Sequence, residues 1–135
     1  MARVLIIDDE ETVRMFCRDA LERNGYEVAA AASASEGIDM YRADPADVVL
    51  MDVLMPKLDG ADATEILLRE FPGARVVAMS GGILRHPEFF LQHAQSRGAV
   101  GAIGKPFTVE ELVEIVRKAK SEGGTRNAGT GMQKR

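Results

Sequence analysis

The chain has 135 residues, 46% of them hydrophobic and 28% charged, a size and balance that predict one soluble globular domain. A net charge of −4, with no tryptophan and no Lys/Arg-rich stripe, argues against direct nucleic-acid binding. No apolar run approaches the roughly 20 residues of a bilayer span, no signal peptide is visible, and one cysteine, Cys17, cannot form an internal disulfide, which fits a reducing cytoplasm.

Val4, Leu5, Ile6 and Ile7 are a continuous apolar run that ends in Asp8-Asp9. Such a run reads as a strand buried on both faces, here with two carboxylates at its C-terminal end. From Thr12 the period changes. Val13, Phe16, Cys17, Ala20 and Leu21 mark one buried face of a helix, which Asn24-Gly25 closes. Asp9, Glu10 and Glu11 suit the N-terminal end of its dipole. A second strand is expected over residues 26–31. Ser33 and Glu36 have capping-box spacing and introduce a helix that buries Ala34, Ile38 and Tyr41 and breaks at Asp44-Pro45.

Residues 47–52 are the central strand, Val48 to Met51 running straight into Asp52 before Met55-Pro56 stops it. A third helix follows Gly60, with Ala63, Ile66, Leu67 and Phe71 on its inner side, and Pro72-Gly73 turns the chain. Strands are expected over 75–79, ending at Ser80-Gly81-Gly82, and over 100–103, ending at Gly104-Lys105-Pro106, with a helix over 89–97 between them. A second capping box, Thr108 to Glu111, starts the last helix; Leu112, Ile115, Val116 and Ala119 face inward, and Lys118 and Lys120 suit its C-terminal end. Residues 121–135 are glycine-rich and almost free of apolar side chains, so a flexible polar tail is expected after a domain of residues 1–120.

Five strands alternating with five helices imply an all-parallel α/β sheet covered on both faces. In such a sheet the strand C-termini share one edge, and ligands bind there. That edge would collect Asp8, Asp9, Asp52, Ser80 and Lys105. Three carboxylates together call for a cation, and an all-oxygen set without His or Cys favours Mg²⁺. A lysine and a hydroxyl match the oxygens of a phosphoryl group, and an aspartate can itself be the nucleophile. Taken singly, Asp8-Asp9 reads equally well as a helix cap, Asp52 as the start of an Asx turn, Ser80 as a turn residue and Lys105 as a solvated charge. Their convergence on neighbouring strand ends is what points to a site.

The stretches LIIDDEETVR, VVLMDVLMPKLDG, VVAMSGG and GAVGAIGKPF, in that order across residues 2–120, resemble the response-regulator receiver domain of two-component signalling. The resemblance implies a doubly wound, flavodoxin-like, five-stranded parallel sheet in the order 2-1-3-4-5. It implies Asp52 as phosphoacceptor, with Mg²⁺ held by Asp8, Asp9, Asp52 and the Leu54 backbone carbonyl, Asp9 being the more direct ligand of the acidic pair. Ser80 and Lys105 would contact the phosphoryl group, and the Lys105-Pro106 bond would be cis. The implied donor is a histidine kinase or a histidine phosphotransfer protein, the output a protein target, the location cytoplasmic. The chain would be a signalling domain rather than an enzyme, catalysing at most its own phosphorylation and dephosphorylation.

Some positions depart from that pattern. Ala102 stands where the family commonly has an aromatic residue that reports phosphorylation. The segment over residues 80–98 is a few residues longer than usual and contains Gly81-Gly82, so activation is expected to move this segment instead. Leu54 and Gly82 cannot orient an attacking water, which implies a phosphoryl group that is not rapidly lost. His86 and His93 are expected at the surface, Cys17 as a small buried hydrophobe, and one of Phe89 and Phe90 as exposed. Two other readings stand beside this one. A pseudo-receiver would bind partners without phosphorylation. A phosphohydrolase of the haloacid-dehalogenase type would use a D-x-D-x-T pattern, but Glu10 occupies the place of its second aspartate.

Overall fold

The apolar runs form a parallel sheet in a computed structural model that describes residues 1–53, 55, 60–81 and 95–129, with 60, 61 and 122–129 by backbone alone. Its strands are β1 (Arg3–Ile7), β2 (Glu27–Ala31), β3 (Val48–Asp52), β4 (Val76–Ser80) and β5 (Gly101–Gly104). All pairs are parallel, in the expected order β2-β1-β3-β4-β5. The helices described are α1 (Glu11–Arg23), α2 (Ala34–Ala43), α3 (Gly60–Glu70) and α4 (Val109–Gly129).

Both sheet faces are apolar, and successive side chains feed two separate cores. Leu5, Ile7, Val49 and Met51 pack with Ile38 and Tyr41 of α2 and Ala63 and Leu67 of α3. Val4, Ile6, Val48 and Leu50 pack with Cys17 and Leu21 of α1 and Leu112 and Val116 of α4. Each fully buried Leu or Ile contributes roughly 1.5–3 kcal/mol. This explains the unbroken runs: with helices on both faces, no strand position needs a polar residue.

Local signals set the helix ends. The Gly25 N–H donates to the Glu22 carbonyl at 3.1 Å and the Tyr26 N–H to the Leu21 carbonyl at 3.0 Å, which together make a Schellman cap with Gly25 at φ +90°. Thr108 and Glu111 form a reciprocal capping box, at 3.1 and 2.9 Å. At α2 the Ser33 hydroxyl accepts from the Glu36 N–H, but the Glu36 carboxylate reaches one residue further back, to the Ala32 N–H at 2.9 Å. Gly37 lets α2 lie directly against Ile7, where a Cβ would meet Ile7 Cδ1 and Cγ1.

Several elements differ from the sequence expectation. Tyr26 completes the cap of α1, so β2 starts at Glu27. β4 and β5 each sit one residue later than expected, which puts Ser80 inside the strand end rather than beyond it. Phe16, expected on the buried face of α1, is 40% exposed. It lies at the edge of that face and turns to the Phe107 ring, 6.0 Å away. The α4 backbone is helical to Gly129, so Lys118 and Lys120 lie within the helix rather than at its end. Elongating a nucleated helix adds one hydrogen bond per residue, which carries it through glycines that would not start one. Most of the helix expected over residues 89–97 lies outside the described residues, but Gln95 and Ser96 are helical, and Gly98 ends them at φ +101°. Leu54, Gly82, His86, Phe89, Phe90, His93 and residues 130–135 also lie outside the described residues.

Candidate functional site

The register aligns the acidic residues. Ile7 pairs with Met51, so the next residues, Asp8 and Asp52, leave neighbouring strands side by side. Backbone hydrogen bonds extend the ladder one step past the strand ends. The Asp8 N–H donates to Ala31 O at 3.1 Å, Val53 to Met79 O at 2.9 Å, and Lys105 to Ser80 O at 2.7 Å. These bonds fix the backbones from which the polar side chains project. The Lys105-Pro106 bond is cis.

Carboxylate oxygens of Asp8, Asp9 and Asp52 all lie within 4.8 Å of one another. Asp8 and Asp52 are buried, at 0% and 3% exposure, while Asp9 faces solvent. Lys105 bridges the group. Its Nζ donates to Asp8 Oδ2 at 2.7 Å and lies 3.4 Å from Glu10 Oε1 and 3.6 Å from Asp52 Oδ2. Asp8 Oδ1 accepts the Glu10 N–H at 2.9 Å, and the Arg14 guanidinium donates to the Asp8 carbonyl at 2.8 Å. Ser80 is buried, and its hydroxyl donates to the Gly81 carbonyl at 3.2 Å.

The charges act on one another. Burial pulls the Lys105 ammonium down, but the hydrogen bond to Asp8 and the charges of Asp8 and Asp52 outweigh it, so the ammonium is held above the usual lysine range. Beneath the cleft, burial pushes the Cys17 thiol up to about 12, with the Asp8 charge adding to the effect. Cys17 is fully buried, as the sequence analysis expects of a small hydrophobe. The acidic cluster is an all-oxygen donor set with two ligands already buried, a chemistry that fits a hard divalent cation.

A groove of about 520 Å³ opens from this cleft between α1 and the segment after β5, lined by Glu10, Val13, Phe16, Lys105 and Phe107 among others. Behind β5, Ala102 packs with Ala78, Ala99 and Val53, a cluster of small side chains. Among the described residues, no helix is long and apolar enough to cross a membrane.

Comparison with known proteins decides the family. Residues 4–117 match the response regulator receiver domain. The chain belongs to that family. The receiver is 33% identical over 117 residues to the chemotaxis protein CheY of Thermotoga maritima, covering 86% of this chain and 95% of that protein. It is 32% identical over 121 residues to the transcriptional regulatory protein PdtaR of Mycobacterium tuberculosis, of which it spans 57% and which covers 88% of this chain. A response regulator receiver domain protein from Clostridium thermocellum superposes with a TM-score of 0.82 at 29% identity, covering 93% of this chain and 98% of that one. The family is one of signalling domains.

Of the residues singled out in the sequence, Asp8, Asp9, Asp52 and Lys105 meet in one cleft. Ser80 stands at the end of β4, bonded through its carbonyl to the Lys105 backbone. Leu54 lies outside the described residues. Glu10 and Arg14 also reach the cleft. Glu10 is identifiable in the sequence only as an acidic residue at a helix start, a position with an ordinary dipole explanation.

Proposed function

We propose that the receiver accepts a phosphoryl group on Asp52 from a histidine kinase or a histidine phosphotransfer protein, with Mg²⁺ as cofactor, and then signals through a downstream protein target. The observation that carries this reading is a buried Asp52 carboxylate within 3.6 Å of the Lys105 ammonium, in the same oxygen cluster as Asp8 and Asp9. A buried carboxylate is costly to maintain, and a site that uses its charge accounts for the cost.

In the transfer, an Asp52 oxygen attacks phosphorus. The donor's P–N bond breaks with its electron pair going to the imidazole nitrogen, and an acyl phosphate remains on Asp52. Lys105 is the cation for the phosphoryl oxygens, and the Ser80 hydroxyl turns from the Gly81 carbonyl to donate to one of them. Asp8, Asp9 and Asp52, with the Leu54 backbone carbonyl, would hold Mg²⁺, which when bound supplies positive charge to those oxygens. The receiver acts on no external substrate in this reading, works in the cytoplasm, and needs neither a membrane nor nucleic acid.

The test is modification by acetyl phosphate with and without Mg²⁺, read by intact mass. One phosphoryl adduct on the wild type, none without Mg²⁺ and none on Asp52→Asn is the expected result. No adduct on the wild type, with beryllofluoride also failing to bind, would replace this reading with a receiver that binds partners without phosphorylation.

A further inference from the structure

Glu10 occupies the N-cap position of α1, yet its side chain makes no capping hydrogen bond. Glutamate is not among the favoured capping residues, whose short oxygens reach the first free N–H groups. The carboxylate instead extends to the cleft, 60% exposed, with Oε1 3.4 Å from Lys105 Nζ. Lys105 is therefore shared by three carboxylates on unequal terms. It hydrogen-bonds Asp8 at 2.7 Å and Glu10 at 3.4 Å, and stands 3.6 Å from Asp52. Its backbone is pinned to Ser80, so only the flexible stem is left to move the ammonium.

We propose that Glu10 is a positioning residue acting through Lys105, holding the ammonium on the α1 side of the cleft while Asp52 is unmodified. The proposal rests on the reading of Asp52 as phosphoacceptor. A phosphoryl group on Asp52 adds roughly one negative charge or more at the carboxylate that Lys105 contacts least closely, and draws the ammonium toward it. The pull of Glu10 opposes that shift. It therefore stabilises the unmodified arrangement more than the transfer transition state, and interactions stronger in the ground state slow the step. Glu10 sets a threshold that a donor must overcome.

The test is a double-mutant cycle. Glu10→Gln keeps shape and backbone but removes the charge, and is expected to speed modification by acetyl phosphate by about two- to fivefold, the range of an exposed ion pair. In a Lys105→Ala background the same change should do nothing, because the residue it acts through is gone. Glu11→Gln, a neighbouring exposed carboxylate, should match the wild type, which separates positioning from simple attraction of an anionic donor. In metal-free protein, urea unfolding of the wild type, Glu10→Gln, Lys105→Ala and the double variant should show coupling between positions 10 and 105. A Glu10→Gln rate equal to wild type, the same acceleration in the Lys105→Ala background or in Glu11→Gln, or no coupling in urea would overturn the proposal. If Lys105→Ala is too slow to measure, the urea cycle decides. A wild type that takes no phosphoryl group would instead remove the phosphoacceptor reading itself.

Discussion

Gly37→Ala tests whether the packing of α2 on β1 is as close as the structure has it. At an exposed position in a helix interior, this change would stabilise by roughly 1 kcal/mol through propensity alone. Here the new Cβ would run into Cδ1 and Cγ1 of Ile7 and lie 3.3 Å from its Cγ2. Turning the terminal methyl away does not relieve a collision with Cγ1. The β-branched side chain must leave its rotamer, or α2 must shift. Ile7 is fully buried among Ile38, Met51 and their neighbours, so neither is cheap. Overpacking at such a site costs about 1–3 kcal/mol, and the upper end applies, leaving a net loss of about 2 kcal/mol. For a domain of this size that lowers Tm by roughly 5–10 °C. Urea unfolding followed by circular dichroism measures it. In an Ile7→Val background, where Cδ1 is gone, the penalty should shrink. Because Asp8 follows Ile7, acetyl phosphate modification should slow as well. Unchanged or greater stability in Gly37→Ala would refute the reasoning.

Other outcomes follow from single contacts. Thr108→Ala removes the oxygen that accepts the Glu111 N–H, and should cost about 1 kcal/mol in urea unfolding, with Thr108→Ser restoring most of it. The folded-state pKa of Lys105 lies above its ordinary value of 10.5, so its stabilising contribution is complete below that pH and is lost as pH rises through the folded value. The difference in urea midpoint between wild type and Lys105→Ala should therefore hold constant from about pH 8 to 10 and narrow above that; a difference that widens with alkali would contradict the sign. With its thiol pushed up to about 12, Cys17 should resist a thiol reagent in the native state at about pH 8 and react fully in urea, and native labelling at full stoichiometry would show that it is not buried.

Features written in neighbouring residues were the ones legible in the sequence. A strand covered on both faces must be apolar at every position, and Val4–Ile7 and Val48–Met51 are. Asn24-Gly25 and Thr108 to Glu111 carry their helix ends within a few residues. The receiver pattern added the strand order, which periodicity does not encode. The errors fall where the deciding neighbour is distant. Phe16 fits the buried helical period, but Phe107, 91 positions on, offers its ring at the groove mouth. Likewise Glu10 meets Lys105 across 95 positions. Nothing local distinguishes those charges from solvated ones.

The placement of Lys105 also bears on how the domain comes together. β1 lies inside the sheet, and Val4 pairs with Val28 and Val48, so its partners must come from two later stretches of chain. Long-range pairings of this kind are slow to close. The Asp8–Lys105 ion pair spans 97 positions, nearly from the first strand to the last. A nascent chain that has reached β3 but not Lys105 already holds three carboxylates and lacks the ammonium that offsets them. The Asp8–Lys105 contact thus ties the first-made end of the fold to the last.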